Sequence, residues 1–474
     1  MKTKILKILI YILPFTLGTI GFYFIDQNTF LDSIFNSTLL YIFGYTDSPN
    51  NFLVEIARWL APAVTASWIL LFFNTLHDQI LHYIYLCTGK SIAVYGPEEE
   101  KNALINEIKS FAIDGKDRFV QASKYILLDD EETNFAFYNA NKAQLQNHPV
   151  YLKSQFLSSN SISDGQLNVF CAEETSARLF WKEHFLYPLS LQNNHEIDVV
   201  LIGFGKLGEE LLTFGLQNNI FSPSQKISYH IFGDGSRFEA THTSLSSISD
   251  PLMFYKEPWY LHLELLERAA MVIVITQEQQ TQLLQELLFA TKREAIHVFS
   301  ANMSSTPLLS GKERLLIFDW KSKAQKLDYI LNDTLYKRAK HINLRYAHLY
   351  SDIPETKENM DKEWMSLDTF TRYSNISSAD YHEIRLKMLA CEGKTNEDIL
   401  SRDTLELHSE LEHIRWCRYH YLNNWSYGIP ENGRNKDKTL RIHKDLVPYQ
   451  TLTDSEKEKD RENVRLLHSI HYNF

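Results

Sequence analysis

The sequence predicts an α/β fold joined to membrane α-helices: two transmembrane helices, two doubly wound α/β units in tandem, and a small α-helical C-terminal module. Three observations carry that prediction. Two long apolar runs lie within residues 1–86. Short strand-like apolar runs then alternate with helical periodicity over residues 91–300. The last 70 or so residues read as two helices flanking an aromatic turn. A chain of 474 residues is long enough for several domains, and the boundaries expected are 1–86, 87–173, 174–325, 326–402 and 403–474.

Composition narrows the partners. The net charge of −11, with no basic run to offset it, argues against nucleic acid. Cys87, Cys171, Cys391 and Cys417 are scattered without C-x-x-C spacing, so reduced thiols are expected and a metal site is not.

Residues 8–25 are uncharged and almost wholly apolar, behind Lys2, Lys4 and Lys7. That length suits one crossing of a bilayer. A signal peptide is the alternative, but the run is long for one and no small-x-small cleavage site follows. The second run, residues 59–73, extends to 56–76 if Arg58 sits at the interface. Leading lysines place the N-terminus in the cytoplasm, so two crossings return the chain there. The expected location is the inner (cytoplasmic) membrane, with the later domains cytoplasmic.

Between the runs, FLDSIFNSTLLYIF (30–43) is amphipathic and precedes Gly44-Tyr45-Thr46-Asp47. Carbonyls and an acid there would line a cation path, which makes Gly44, Tyr45 and Asp47 candidate pore residues. Span, half-helix, glycine turn and span is the layout of a two-span tetrameric cation channel. One pair of helices cannot enclose a pore, so a homo-oligomer, a tetramer, is expected. The T-V-G-Y-G filter is absent, so no ion preference is read. An external amphipathic hairpin is the alternative.

The first α/β unit opens with SIAVYG (91–96), but Gly96 is followed by Pro97 and three glutamates. Those acids suit a helix N-terminus and would repel a phosphate, so this unit reads as structural. Its helix is expected over 102–113 and its further strands at 125–128, 150–152 and 167–172, before a helical linker over 172–191 carrying Arg178, Trp181 and Phe185. The second unit opens with DVVLIGFGKLGEE (198–210). Gly203, Gly205 and Gly208 give G-x-G-x-x-G between a strand and a helix, the dinucleotide fingerprint of a Rossmann-type domain. Strands follow at 227–232, 271–276 and 296–299. Asp234, at the end of the first of these, is the expected ribose partner. The candidate ligand is nucleotide-type, NAD or ADP-ribose-like. His230, His242 and His297 show no dyad in the sequence, so no catalytic residue and no enzyme is expected.

Two spans followed by tandem Rossmann units, one with G-F-G-K-L-G, resemble the TrkA-type (RCK) regulatory domains of potassium channels and transporters. The resemblance covers roughly residues 1–300. It implies a cytoplasmic ring whose ligand occupancy pulls on pore helices.

In the C-terminal part, residues 327–350 read as one helix, and Arg372, Ser374 and Asn375 either cap a helix or touch a ligand. EHIRWCRYHYLNNWSYG, a loop with Arg434, Lys436, Lys438 and Arg441, and HKDLVPYQTL follow. Trp416, Trp425, Tyr427, His443, Pro448 and Tyr449 supply faces that would stack on a flat base, with the cations meeting phosphates. On chemistry alone a small aromatic core is the simpler reading. The segment resembles the RyR domain, the ryanodine receptor repeat. Its pattern is Trp416, Trp425-Ser-Tyr427-Gly428, a basic loop, then His443-Lys-Asp-Leu446-Val-Pro448-Tyr449. Two positions depart from it: Asn424 stands where glycine is usual, and Lys444 where proline is usual. The resemblance implies sensing of a nucleotide-derived signal, some members being linked to antiviral defence. The candidate ligand residues are Arg372, Asn375, Trp416, Trp425, Tyr427, His443, Pro448 and Tyr449. The whole chain is then expected to be a ligand-gated membrane channel. The competing readings are a nucleotide-activated effector that disrupts the bilayer and an NAD-dependent oxidoreductase.

Overall fold

The computed structural model describes residues 2–47, 51–116, 119–157, 166–300, 309–331, 334–431 and 433–471. It divides into two compact units, Met1–Ser91 with Gln121–Ser123, and Ile92–Val120 with Lys124–Phe474.

The first unit is helical. A helix over Lys2–Ile20 runs on as a π turn through Gly21–Ile25, and helices Phe30–Tyr41 and Phe52–Cys87 follow. Each of the latter two has its own N-cap. Thr29 accepts the Asp32 N–H, and Asn51 accepts the Val54 N–H at 2.9 Å. The helices touch where side chains are small: a Cβ on Gly21 would lie 2.7 Å from a Val54 methyl. Phe22, Leu40, Val54, Ala57 and Ala61 make the shared core. Among the described residues one helical segment, Phe52–Leu70, is long and apolar enough to cross a membrane. The other apolar helical segment among the described residues, Tyr11–Ile25, is shorter. One candidate span is therefore found among the described residues, and the second expected span is not confirmed.

The second unit holds two parallel sheets. In the first, β1 (Ile92–Tyr95), β2 (Ala112–Asp114), β3 (Lys124–Leu127), β4 (Val150–Lys153) and β5 (Leu167–Phe170) lie in the order β2-β1-β3-β4-β5. The helix expected to reach residue 113 ends at Ile108, where Lys109 turns to φ +60° and frees the edge strand β2. The second sheet comprises β6 (Glu196–Ile202), β7 (Lys226–Phe232), β8 (Leu252–Tyr255), β9 (Met271–Val274), β10 (Ile296–Ser300) and β11 (Leu315–Asp319). Its order, β11-β10-β9-β6-β7-β8, places the topological switch between β6 and β9. That is the dinucleotide-fold order, with the ligand crevice beyond the carboxyl ends of the strands. The fold is thus Rossmann-like α/β with C-terminal helices.

The stretch read as a linker is a core element. Helix Ala172–Glu183 carries Trp181 and Arg178 fully inside the protein. Trp181 Nε1 donates to the Leu211 carbonyl at 2.8 Å, and Gly215 leaves room for the indole, since a Cβ there would lie 3.0 Å away. Arg178 donates to both carboxylate oxygens of Asp380, Nε at 2.6 Å and Nη2 at 3.1 Å. Lys182 adds a contact to Asp380 at 3.0 Å.

Asp380 belongs to the long helix Thr369–Cys391, the central post of the C-terminal part. Helices Lys337–Ser351, Lys357–Ser366, Arg402–Leu422 and Asp454–His471 surround it. The single helix expected over 327–350 is two pieces, Leu327–Ile330 and Lys337–Ser351, with residues 332–333 outside the described set. Between the last two helices, β12 (Ser426–Tyr427), β13 (Lys436–Asp437) and β14 (Ile442–His443) form a small sheet. Replacing Asp380 by alanine leaves Arg178 charged and buried, with only the more distant Glu174 carboxylate, at 3.9 Å, as an ionic partner. Such a loss is expected to cost about 3–5 kcal/mol. Urea unfolding of wild type and Asp380→Ala measures it, and a difference under about 1 kcal/mol contradicts the structural role.

Candidate functional site

Helical spacing builds a cavity in the C-terminal part. Glu412, Trp416 and His420 recur at i, i+4 on helix Arg402–Leu422, so one face presents all three. Helix Thr369–Cys391 opposes them with Phe370, Thr371, Ser374, Asn375 and Ser378. The turn around β13 and β14 contributes Lys436 and His443, and helix Asp454–His471 adds Lys459, Asp460 and Asn463. The enclosed space is about 380 Å³.

Three imidazoles surround the half-buried indole of Trp416. His413 stacks parallel at 5.6 Å between centroids, His420 tilts at 4.0 Å, and His443 meets it edge-on at 4.9 Å. Their charge states differ. Burial works against a proton on His413, but Asp460 and the Cys417 sulfur outweigh it and hold the ring at about 11. Its Nε2 contacts the Val447 carbonyl at 2.8 Å and its Nδ1 faces Asp460 at 3.3 Å, geometry that suits two donors. Burial pushes His420 down to about 3 and His443 down to about 4, so both are neutral at pH 7. Beneath them, Glu412 is clasped by two buried arginines, Arg415 and Arg385, which outweigh its burial and hold its carboxyl at about 2. The wall therefore offers an aromatic face, neutral imidazoles, amides and hydroxyls, with Lys436 and Lys459 beside the acids Asp445, Glu456 and Asp460.

Among the residues expected to touch a ligand here, Asn375, Trp416 and His443 line the cavity. Trp425 stands behind the wall, stacked on Phe370 at 5.2 Å. Arg372 donates to the carbonyls of Trp364 and Met365, so its guanidinium closes the end of the preceding helix. Tyr427 is exposed on β12, Pro448 is exposed, and the buried Tyr449 bonds Glu406 through its hydroxyl at 3.2 Å. Phe370, His413, His420, Asn343 and Asn463 are lining residues that the sequence reading missed. The 412–416–420 spacing carried a signal for His420. Asn343 and Asn463 come from distant helices and carried none.

A second cavity, about 700 Å³, lies at the glycine motif. Gly203 has φ +95°, and a Cβ there would fall 2.2 Å from Thr276 Oγ1, so only glycine fits. Gly205 has φ +65° and faces open space at the helix start, while Gly208 lies against the Phe204 ring. Phe204 packs edge-on to Phe238 and Phe254. The Asp234 carboxylate accepts the Ser236 hydroxyl at 2.6 Å and its N–H at 3.1 Å, bonds that hold it below the usual carboxylate range. Glu239, Glu257, Glu278 and Glu286 share the rim with Asp234, against Lys256. That excess of negative charge opposes a pyrophosphate. In the first sheet the acids are met by the domain's own lysines: Glu98 pairs with Lys101 at 2.6 Å and Glu100 with Lys153 at 2.7 Å.

The candidate pore residues form a helix-ending turn. Phe43 takes φ +56°, and the Gly44 N–H donates to the Leu39 carbonyl at 2.9 Å, closing helix Phe30–Tyr41. Tyr45 packs edge-on to Phe22 at 5.0 Å, and Asp47 is exposed.

One histidine does have partners, contrary to the sequence reading. His230 Nε2 meets Asp198 Oδ1 at 2.8 Å, and its Nδ1 meets the Tyr255 hydroxyl at 2.9 Å. Strand pairing of β6, β7 and β8 brings the three together. His242 contacts the Phe238 carbonyl through Nδ1 at 2.9 Å, and His297 packs on His184 and Phe180. All four cysteines are free thiols.

Burial of neutral His420 and His443, and of His297, His382 and His408 at about 3, sets a pH dependence. Unfolding restores each ring to its ordinary value of ~6.5, so the unfolded chain binds more protons below that pH. Stability is expected to fall steadily from about pH 6.5 toward pH 4, whereas between pH 8 and 6.5 protonated His413, raised to about 11, adds stability as pH falls. His443→Gln should make that fall shallower. Thermal unfolding midpoints across the range check it, and a midpoint that rises on acidification below pH 6.5 refutes it.

Comparison with known proteins agrees with the C-terminal geometry. Residues 400–472 match the family described as RyR domain. No curated protein matches the chain. Among solved structures, apo D-mandelate dehydrogenase of Rhodotorula graminis overlaps 69% of this chain and 84% of its own, at 11% identity and a TM-score of 0.20. So loose an overlap has no bearing on function. The helices and small sheet that carry Trp416, Trp425 and His443 are an RyR domain.

Proposed function

We propose that this protein is a membrane-anchored receptor whose RyR domain binds a small nucleotide-type ligand and whose N-terminal helices act on the bilayer in response. The observation that carries the reading is the cavity at Trp416, where an indole and neutral imidazoles adjoin Lys436 and Lys459. A base would stack on the indole and its phosphates would meet the lysines. About 380 Å³ sits near the lower end of the ~300–1,000 Å³ typical of ligand pockets, a size for one nucleotide. The charge balance favours the RyR cavity, where Arg415, Lys436 and Lys459 stand beside Glu412, Asp445, Glu456 and Asp460, over the glycine-motif crevice, where among the described residues Lys256 alone faces Asp234, Glu239, Glu257, Glu278 and Glu286.

The response would be a ligand-gated conductance through a homo-oligomer, a tetramer in the two-span layout, in the cytoplasmic membrane. Gating energy would come from unequal ligand affinity for the closed and open states. Permeabilisation without ion selectivity is the second reading. The turn at Gly44, an ordinary helix cap, favours it.

Binding of AMP, ADP-ribose and NAD to the full chain in detergent tests the first step by calorimetry. Trp416→Ala is expected to weaken binding tenfold or more, since stacking contributes about 1–3 kcal/mol per base, and Gly205→Asp to leave it unchanged. The opposite pattern, or no binding by any of the three, refutes the reading. For the response, ion flux into liposomes compares wild type with Asp47→Asn. Altered ion preference supports a selective path, and unchanged flux of all ions supports permeabilisation.

A further inference from the structure

The seam between the RyR domain and the glycine-motif domain holds a residue at which this chain departs from the RyR pattern. Asn424 has φ +62°, backbone that glycine adopts without strain. Glycine is the usual RyR residue there, and asparagine is the next most tolerant. The asparagine amide gives the position a further role. Its Nδ2 donates to the Thr241 carbonyl at 2.7 Å, and its Oδ1 accepts the Thr243 hydroxyl at 3.3 Å. Thr241 ends helix Ser236–Thr241, whose Ser236 and Glu239 line the crevice beside Gly203 and Asp234. On its other side Asn424 precedes Trp425, which stacks on Phe370, and Phe370 lines the Trp416 cavity. A groove of about 580 Å³ follows the seam, with Phe370, Trp425, Asn424 and His242 along it.

We propose that Asn424 is the positioning residue that ties the wall of the RyR cavity to the helix bordering the glycine-motif crevice. A shift of the Phe370–Trp425 stack then reaches residues 236–243 through the two amide hydrogen bonds. The rest of the seam is held by buried contacts. Buried Arg418 binds Asp250 at 2.7 Å and the Leu216 carbonyl at 3.0 Å, and the Tyr381 hydroxyl binds the Ile220 carbonyl at 2.6 Å. The movable part is the exposed edge that Asn424 holds. As regulation of the RyR cavity this rests on the proposed function, but its test uses no ligand, so the two fail separately.

Hydrogen exchange by mass spectrometry on the full chain in detergent compares wild type with Asn424→Gly and Phe370→Leu. Asn424→Gly keeps the allowed backbone and removes only the amide, so the domain is expected to fold. Exchange of residues 238–245 should rise about tenfold in both variants, with β6 protection unchanged. Three results overturn the proposal: exchange at 238–245 within twofold of wild type in Asn424→Gly, an Asn424→Gly increase that extends to β6, or an effect of Phe370→Leu that stops within residues 419–443.

Discussion

The pairing of Arg178 with Asp380 is the contact on which the rest of the second unit depends. A guanidinium and a carboxylate, both essentially without solvent, are stable only as a pair. Their pairing fixes helix Thr369–Cys391 against the helix that joins the two sheets. The same long helix then sends Tyr381 to the carbonyl of Ile220, Arg385 to Glu412, and Ser374, Asn375 and Ser378 into the RyR cavity. One element therefore carries the scaffold contact on one side and the candidate ligand wall on another. Geometry in the cavity is set by charges buried outside it.

Chemistry in the cavity follows from how burial acts on each side chain. Burial, helped by neighbouring cations such as Lys436, makes His420 and His443 neutral, and the carboxylates near His443, Asp445 at 3.8 Å and Glu456, do not outweigh it. His413, two turns before His420, faces Asp460 and keeps its proton. The indole is thus buttressed by one cationic ring and flanked by two neutral ones. The glycine-motif crevice has the backbone of a dinucleotide site but a rim of acids. The backbone motif and the electrostatics point in different directions, and the electrostatics governs what a phosphate meets first.

Much of the second unit was legible in order. The apolar run before Gly203 is a central strand because parallel strands are buried on both faces and read as continuous Val, Leu and Ile. Edge strands β2, β8 and β11 were harder, since short edges bury less and leave a weaker pattern. The helix at 172–183 does link the two sheets, but its burial was not legible, since the partner of its buried Arg178 lies 202 positions away.

The sequence by itself determined the Rossmann-type strand–glycine–helix unit and the RyR segment, because both rest on local spacing: glycines at a turn, aromatics at fixed intervals. Tertiary structure alone decided which aromatics face a cavity. Trp416 lines it while Trp425 backs it, since helix Thr369–Cys391 places Phe370 between the second indole and the space. It also decided that Arg372 closes a helix, that Asn343 and Asn463 join the wall, and that Asn424 spans a seam. Each of these depends on a partner far away in the chain, and no local pattern encodes a partner at that distance.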